Sequence, residues 1–137
     1  MGLYDREQIT RFKRTQIFVV DDFYTLFAIR QKFNRLLTTP NILTEISNLA
    51  GQLTGQLRDN YFKVFAREIQ TFDEKCFPSS EVARQPGFIK FGLTDIAISL
   101  IAQEGCLVLT ADASLCQYLQ TRKIEVLNFN HIRQFNW

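Results

Sequence analysis

From Cys106 to Phe129 the chain alternates between two kinds of patterning. Cys106 to Leu109 is an apolar run, Asp112 to about Gln120 reads as a helix, and Ile124 to Phe129 is apolar again. Strand, helix and strand in that order are expected to place the two strands parallel in one sheet, joined by a right-handed crossover. The class predicted is α/β, three-layered. Ahead of it, Gly92, Leu93 and Thr94 lead into a helix from Asp95 to about Gln103 that is apolar on nearly every side and closed by Gly105, so it is expected to be buried.

The first half reads as helices. Asp5 followed by Gln8 is a capping-box pattern, with Ile9 and Phe12 at helical spacing behind it. Val20 and Asp21 start a second helix, whose Phe23, Leu26, Phe27 and either Arg30 or Phe33 return to one side. Arg35 to Thr38 predicts a short strand. Thr39 as N-cap and Pro40 at the first helical position open a third helix carrying Ile42, Glu45, Ile46 and Leu49. A fourth has Tyr61, Phe65, Ile69 and Phe72 as its stripe, and Phe77 to Gly87, with two prolines and two serines, reads as a loop or a frayed turn.

With 137 residues, 46% of them apolar and 22% charged, the chain is expected to form one domain that buries a core unaided, Met1 to Trp137. A net charge of +2 names no acidic partner, although Arg11, Lys13 and Arg14 form a local basic cluster that a solvated helix face would equally explain. Cys76, Cys106 and Cys116 are odd in number and have no CxxC spacing, which points to a reducing, cytoplasmic setting. His131 is the single histidine, so a Ser-His-Asp triad or a multi-histidine metal site would need another chain to contribute. No apolar window is long enough for a membrane span and no signal peptide opens the chain, so no membrane partner is expected. Chemistry in this chain is expected to run on carboxylates.

Three carboxylates stand out. Asp112 lies just past the predicted strand end at Thr110, where parallel α/β sheets bind ligands. Asp95 stands at the amino end of a buried helix, where the backbone dipole favours negative charge but an unpaired carboxylate is costly to desolvate. Glu45 shares a helical face with Ile42, Ile46 and Leu49, so its carboxylate is expected to point along an apolar stripe. Each has a plainer reading: Asp112 as a helix cap, Asp95 as a first-turn acid, Glu45 as a side chain reaching water from the stripe's edge. Three acids at one sheet edge repel unless protonated or bridged by a hard cation.

The segments Thr39-Pro40-Asn41-Ile42-Leu43-Thr44-Glu45, Gly92-Leu93-Thr94-Asp95-Ile96-Ala97-Ile98 and Val108-Leu109-Thr110-Ala111-Asp112 occur in this order. They resemble the second, third and fourth acidic motifs of PIN-domain nucleases, a likeness running from about Leu36 to Phe129. The resemblance implies a small parallel sheet between helices and a Mg2+- or Mn2+-dependent ribonuclease. Glu45 and Asp95 would be metal ligands, directly or through water. Asp112 would ligate or orient a second ion, and Thr110 would position Asp112 or the nearby phosphate by hydrogen bonding. Many members are toxins of toxin-antitoxin pairs, so the partners implied are RNA, an antitoxin protein and a second copy in a homodimer.

One motif of the family has no counterpart here. PIN domains begin with a central apolar strand ending in aspartate, whereas this chain is expected to open with a helix. Phe18-Val19-Val20-Asp21-Asp22 looks like such a strand, but Asp21 fits a helix cap and the stretch to Glu45 is too short for what the family places there. The expectation is that about ten to fifteen upstream residues, a strand with its turn, are absent and that cleavage by this chain is impaired. The alternative is a catalytically degenerate PIN-like module that binds a protein or RNA without cutting it. A receiver-like or dehalogenase-like phosphotransfer domain would need a late lysine, and Lys123 is poorly placed for that role.

Overall fold

The computed structural model describes residues 6–13 and 15–135. The chain forms two compact units: the described residues of Met1–Leu37 with Leu43–Asp73, and those of Thr38–Ile42 with Glu74–Trp137. The class is mixed helix and strand, with two sheets of two strands each.

In the first unit, α1 spans Gln8–Arg11 and stops at Phe12, whose backbone is extended; Ile9 is its buried residue. The Asp5 cap and Arg14 of the basic cluster lie outside the described residues. Helix α2, Val20–Arg30, confirms that Phe18 to Asp22 opens a helix and not a strand. The capping contact comes from a different residue than expected: the Asp22 carboxylate, at the third helical position, accepts from Val19 N at 2.9 Å, while Asp21 is exposed. An acid three residues into a helix can reach back to the orphan amide before it, and that geometry favours Asp22 over its neighbour. The predicted stripe of α2 is not buried, since Leu26 and Phe27 are exposed together with Tyr24.

The strand β1, Leu37–Thr38, is shorter than predicted and leads into α3, Pro40–Ala50. Thr39 caps α3 as expected, its hydroxyl accepting from Ile42 N at 3.1 Å. Helix α4, Gly55–Ile69, packs Phe65 with the rings of Tyr61 and Phe62 about it; Phe72 falls beyond the helix. Burial pushes the Tyr61 phenol above its ordinary pKa, because the charged form is disfavoured away from water. Strand β2, Asp73–Glu74, pairs with β1: Asp73 N donates to Leu36 O within the first unit, and Lys75 N to Thr38 O within the second.

The second unit contains the predicted alternation. Its first helix, α5, Ser79–Val82, is a single turn inside the segment expected to be a loop or a frayed turn, and Val82 is almost fully buried. Pro78 sets the turn, and a valine with a core partner holds it helical despite the proline and serine content. Helix α6, Phe88–Ala102, begins about two turns before the expected start at Asp95 and is broken at Gly92 by non-helical backbone (φ 78°, ψ −171°). Its later segment is buried through Ile96, Ala97, Ser99, Ile101 and Ala102, as an all-round apolar helix requires.

Strand β3, Val108–Thr110, and β4, Val126–Asn128, are paired in parallel with α7, Ala113–Thr121, between them in sequence. A last helix, α8, Phe129–Gln134, takes up the residue expected to end the strand. Ala102, Leu115, Leu119 and Ile124 make one buried cluster and Val82, Ile96 and Ala97 another, with Phe91 and Tyr118 packed against both. Gly87 makes the closest approach. Its φ is 87°, and an added Cβ would stand 2.9 Å from the Tyr118 ring, whose hydroxyl donates to Pro86 O.

Candidate functional site

The carboxyl ends of β3 and β4 bring four polar residues together in the second unit. The register pairs Val108 with Val126, Leu109 with Leu127 and Thr110 with Asn128, so both strands end at the same level. Each then turns into a helix capped by its own side chain: Asp112 for α7 and Asn128 for α8. Parallel strands leave helix starts at this edge, and Asp and Asn are the side chains best able to accept the first orphan amides there.

Asp112 is fixed on both sides. Its Oδ1 accepts from Ser114 N at 2.7 Å and Leu115 N at 3.0 Å, and its own N–H donates to the Thr110 hydroxyl at 3.1 Å. The plain reading of Asp112 as a helix cap is therefore correct for one oxygen. Its other carboxylate oxygen makes no hydrogen bond among the described residues, and the residue is exposed. The contact between Thr110 and Asp112 runs through the Asp112 backbone amide and not through the carboxylate. The turn is further held by Asn130, whose Nδ2 donates to Ala111 O at 2.9 Å, while Asn130 N donates to Asn128 Oδ1 at 2.9 Å.

Asp95 belongs to the same unit and lies in the first turn after the Gly92 break, half-buried and beside the buried Ile96 and Ala97. Its expected place at a helix start is retained, because the glycine divides α6 just ahead of it. Glu45 belongs to the first unit and is exposed. The expected direction along the apolar stripe does not hold. Ala50 is the buried residue of α3 and Ile42 and Ile46 lie on its side, leaving Thr44, Glu45, Asn48 and Leu49 on the opposite, exposed arc. Leu49 marked that arc as apolar in the sequence and drew Glu45 onto the wrong face.

Among the described residues, no three His, Cys, Asp or Glu side chains stand close enough to hold a metal ion between them. No helix of the described residues is long and apolar enough to cross a membrane.

Asn128 and Asn130 were not anticipated from the sequence. The apolar reading of Ile124 to Phe129 ran through Asn128, although an Asn directly before Phe129 is itself a helix-start signal. Searches of protein-family models, of curated proteins and of solved structures find no match to this chain.

Proposed function

We propose that this chain is a metal-dependent ribonuclease domain of PIN-like, three-layer organisation, hydrolysing RNA phosphodiester bonds with Asp112 at the reacting edge. The observation that carries the reading is the setting of Asp112. One oxygen is spent on the cap of α7 and the other is uncommitted, at the carboxyl end of a parallel strand pair, where open α/β sheets bind their ligands. Carboxylate oxygens are hard donors, and Mg2+ and Mn2+ are the ions that suit them.

Asp112 and Asp95 share a unit and form the part of the donor set with structural support; Glu45 enters from the order of acidic segments in the sequence. A bound ion of this kind would activate water and offset the charge developing on the phosphate. The chain's own residues supply preorganisation. The Thr110 hydroxyl, the two α7 amides and the Asn130 amide fix the turn, so the uncommitted oxygen needs no reordering to meet a cation.

Melting the chain with and without millimolar MnCl2 tests the site, because an ion that binds only the folded state must raise the midpoint. At about ten times the dissociation constant the gain is about 1.4 kcal/mol. The expected outcome is a shift in the wild-type chain that Asp112→Asn loses, together with whatever metal-dependent cleavage of a single-stranded RNA the wild-type chain retains. Equal shifts in both proteins, or none in either, would overturn the assignment.

A further inference from the structure

A cleft of about 300 Å³ opens beside this edge, between α7, β4 and α8, in the second unit. Cys116, Gln117, Val126, Asn128, His131 and Ile132 line it, and Ala113, the residue following Asp112, stands at its rim. The lining combines three chemistries: an apolar part from Cys116, Val126 and Ile132, amides from Gln117 and Asn128, and one aromatic ring from His131. The volume is at the small end of ligand sites, which is room for one ring system with its sugar.

Asn128 is the residue that asks for a ligand. It is only 8% exposed, yet its hydrogen bonding is half finished: Oδ1 accepts from Asn130 N, and Nδ2 donates to nothing among the described residues. That nitrogen is not sealed off, since the one fully buried and unpaired side-chain N or O among the described residues is Arg122 Nε. Asn128 lines the cleft, and a nearly buried amide donor that keeps some contact with solvent and has no partner among the described residues is open to one from outside.

We infer that this cleft binds the base of a single-stranded ribonucleotide, holding it while the adjoining phosphodiester lies at Asp112. Single-stranded RNA is recognised by stacking unpaired bases on aromatic side chains, His included, and by hydrogen bonds to base edges. His131 supplies the ring, Asn128 and Gln117 supply the amides, and the apolar wall covers the rest of the base. The register pairs Asn128 with Thr110, whose hydroxyl holds Asp112, so base pocket and proposed reacting edge share one rigid strand pair. The inference rests on the ribonuclease reading for its placement of the phosphate, but not for the binding of the base.

The test therefore uses free ribonucleosides, which carry no phosphate, in the absence of metal. Adenosine, guanosine, cytidine and uridine are titrated to millimolar concentration against 15N-labelled protein. The expected outcome is saturable shifts for the amides of Gln117, Asn128 and His131. The exposed Gln117→Ala and His131→Ala should each weaken binding, the latter by about fivefold or more, the low end of base stacking on an aromatic ring. Gln103→Ala, on α6's exposed end, should leave binding unchanged.

No saturable shift for any nucleoside, or equal affinity in wild type, Gln117→Ala and His131→Ala, overturns the inference. Nucleoside binding without a manganese shift in the wild-type melt supports the cleft and removes the ribonuclease reading. Cleavage without nucleoside binding removes the cleft and keeps the nuclease.

Discussion

Two substitutions separate the α7 cap made by Asp112 from its proposed metal-binding role. Asp112→Ala removes the single oxygen that accepts both bonds of the α7 cap, stranding Ser114 N and Leu115 N. Losing an N-cap side chain costs about 1 kcal/mol on average and about 2 at most. Here the upper half of that range applies, because Leu115 is 3% exposed and water reaches its amide poorly. Helix α7 also carries Cys116 and Leu119 into the core, so fraying its first turn loosens packing further down. For 137 residues a loss of that size lowers the midpoint by about 3 to 7 °C.

Asp112→Asn keeps an equivalent cap and loses only the charge at an exposed helix amino terminus, worth about 0.3 to 1 kcal/mol. Thermal melts should therefore rank wild type, Asp112→Asn and Asp112→Ala in that order. Amide exchange should show Ser114 and Leu115 deprotected in the alanine variant alone. Both variants should lose the manganese shift. If Asp112→Ala melts with Asp112→Asn, or leaves the Ser114 and Leu115 amides protected, the cap is not what holds α7.

The remaining predictions concern packing and charge. Gly87→Ala forces a side chain into a left-handed conformation and sets a Cβ 2.9 Å from a Tyr118 ring that Phe91 and Pro86 hold in place, a cost of about 2 to 3 kcal/mol. Gly105→Ala, with φ of 92° but no atom within 4 Å of the new carbon, should cost about 1 kcal/mol; equal urea midpoints for the two would refute the steric term. Tyr61 has a folded pKa above its unfolded value of 10.0, so its contribution is fully present below pH 10 and is lost as pH rises through the raised value. Tyr61→Phe should flatten part of the alkaline loss measured by urea denaturation between neutral pH and the phenol's range, and an unchanged slope would show that burial does not hold the phenol neutral.

What the sequence revealed follows the range of the interactions involved. Caps and crossovers are local: Thr39 ahead of Pro40, Asp112 behind a strand and the strand-helix-strand alternation each needed only a few neighbouring residues, and all three hold. The short elements depended on distant partners. Serine and proline content argued for no more than a loop or a frayed turn at α5, and it is Val82 packing with Ile96 and Ala97 that holds a helical turn there. The face of α3 failed for a related reason. Ile42, Ile46 and Leu49 fit one apolar stripe by spacing, but burial centres on Ala50, and a small residue contributes little to a hydrophobic pattern while fitting best against a close neighbour.

At the site the difficulty was chemical. A helix cap and a metal ligand both call for a short carboxylate just beyond a strand, so no spacing rule can assign Asp112 to one role over the other. The two readings were posed as rivals, yet a carboxylate has two oxygens, and only the geometry counts them separately. Oδ1 is committed to the amides of Ser114 and Leu115, and the second oxygen is left at the strand edge. Asn128 divides in the same way, its Oδ1 bonded to Asn130 N and its Nδ2 without a partner among the described residues. Neighbouring strand ends thus each use one atom of a side chain to start a helix and leave the other polar atom, oriented by that bond, without a partner among the described residues. Under the proposed function the capping bonds would be part of the site's construction, and a substitution that keeps the cap while removing the second atom's chemistry is the sharpest way to separate folding from function.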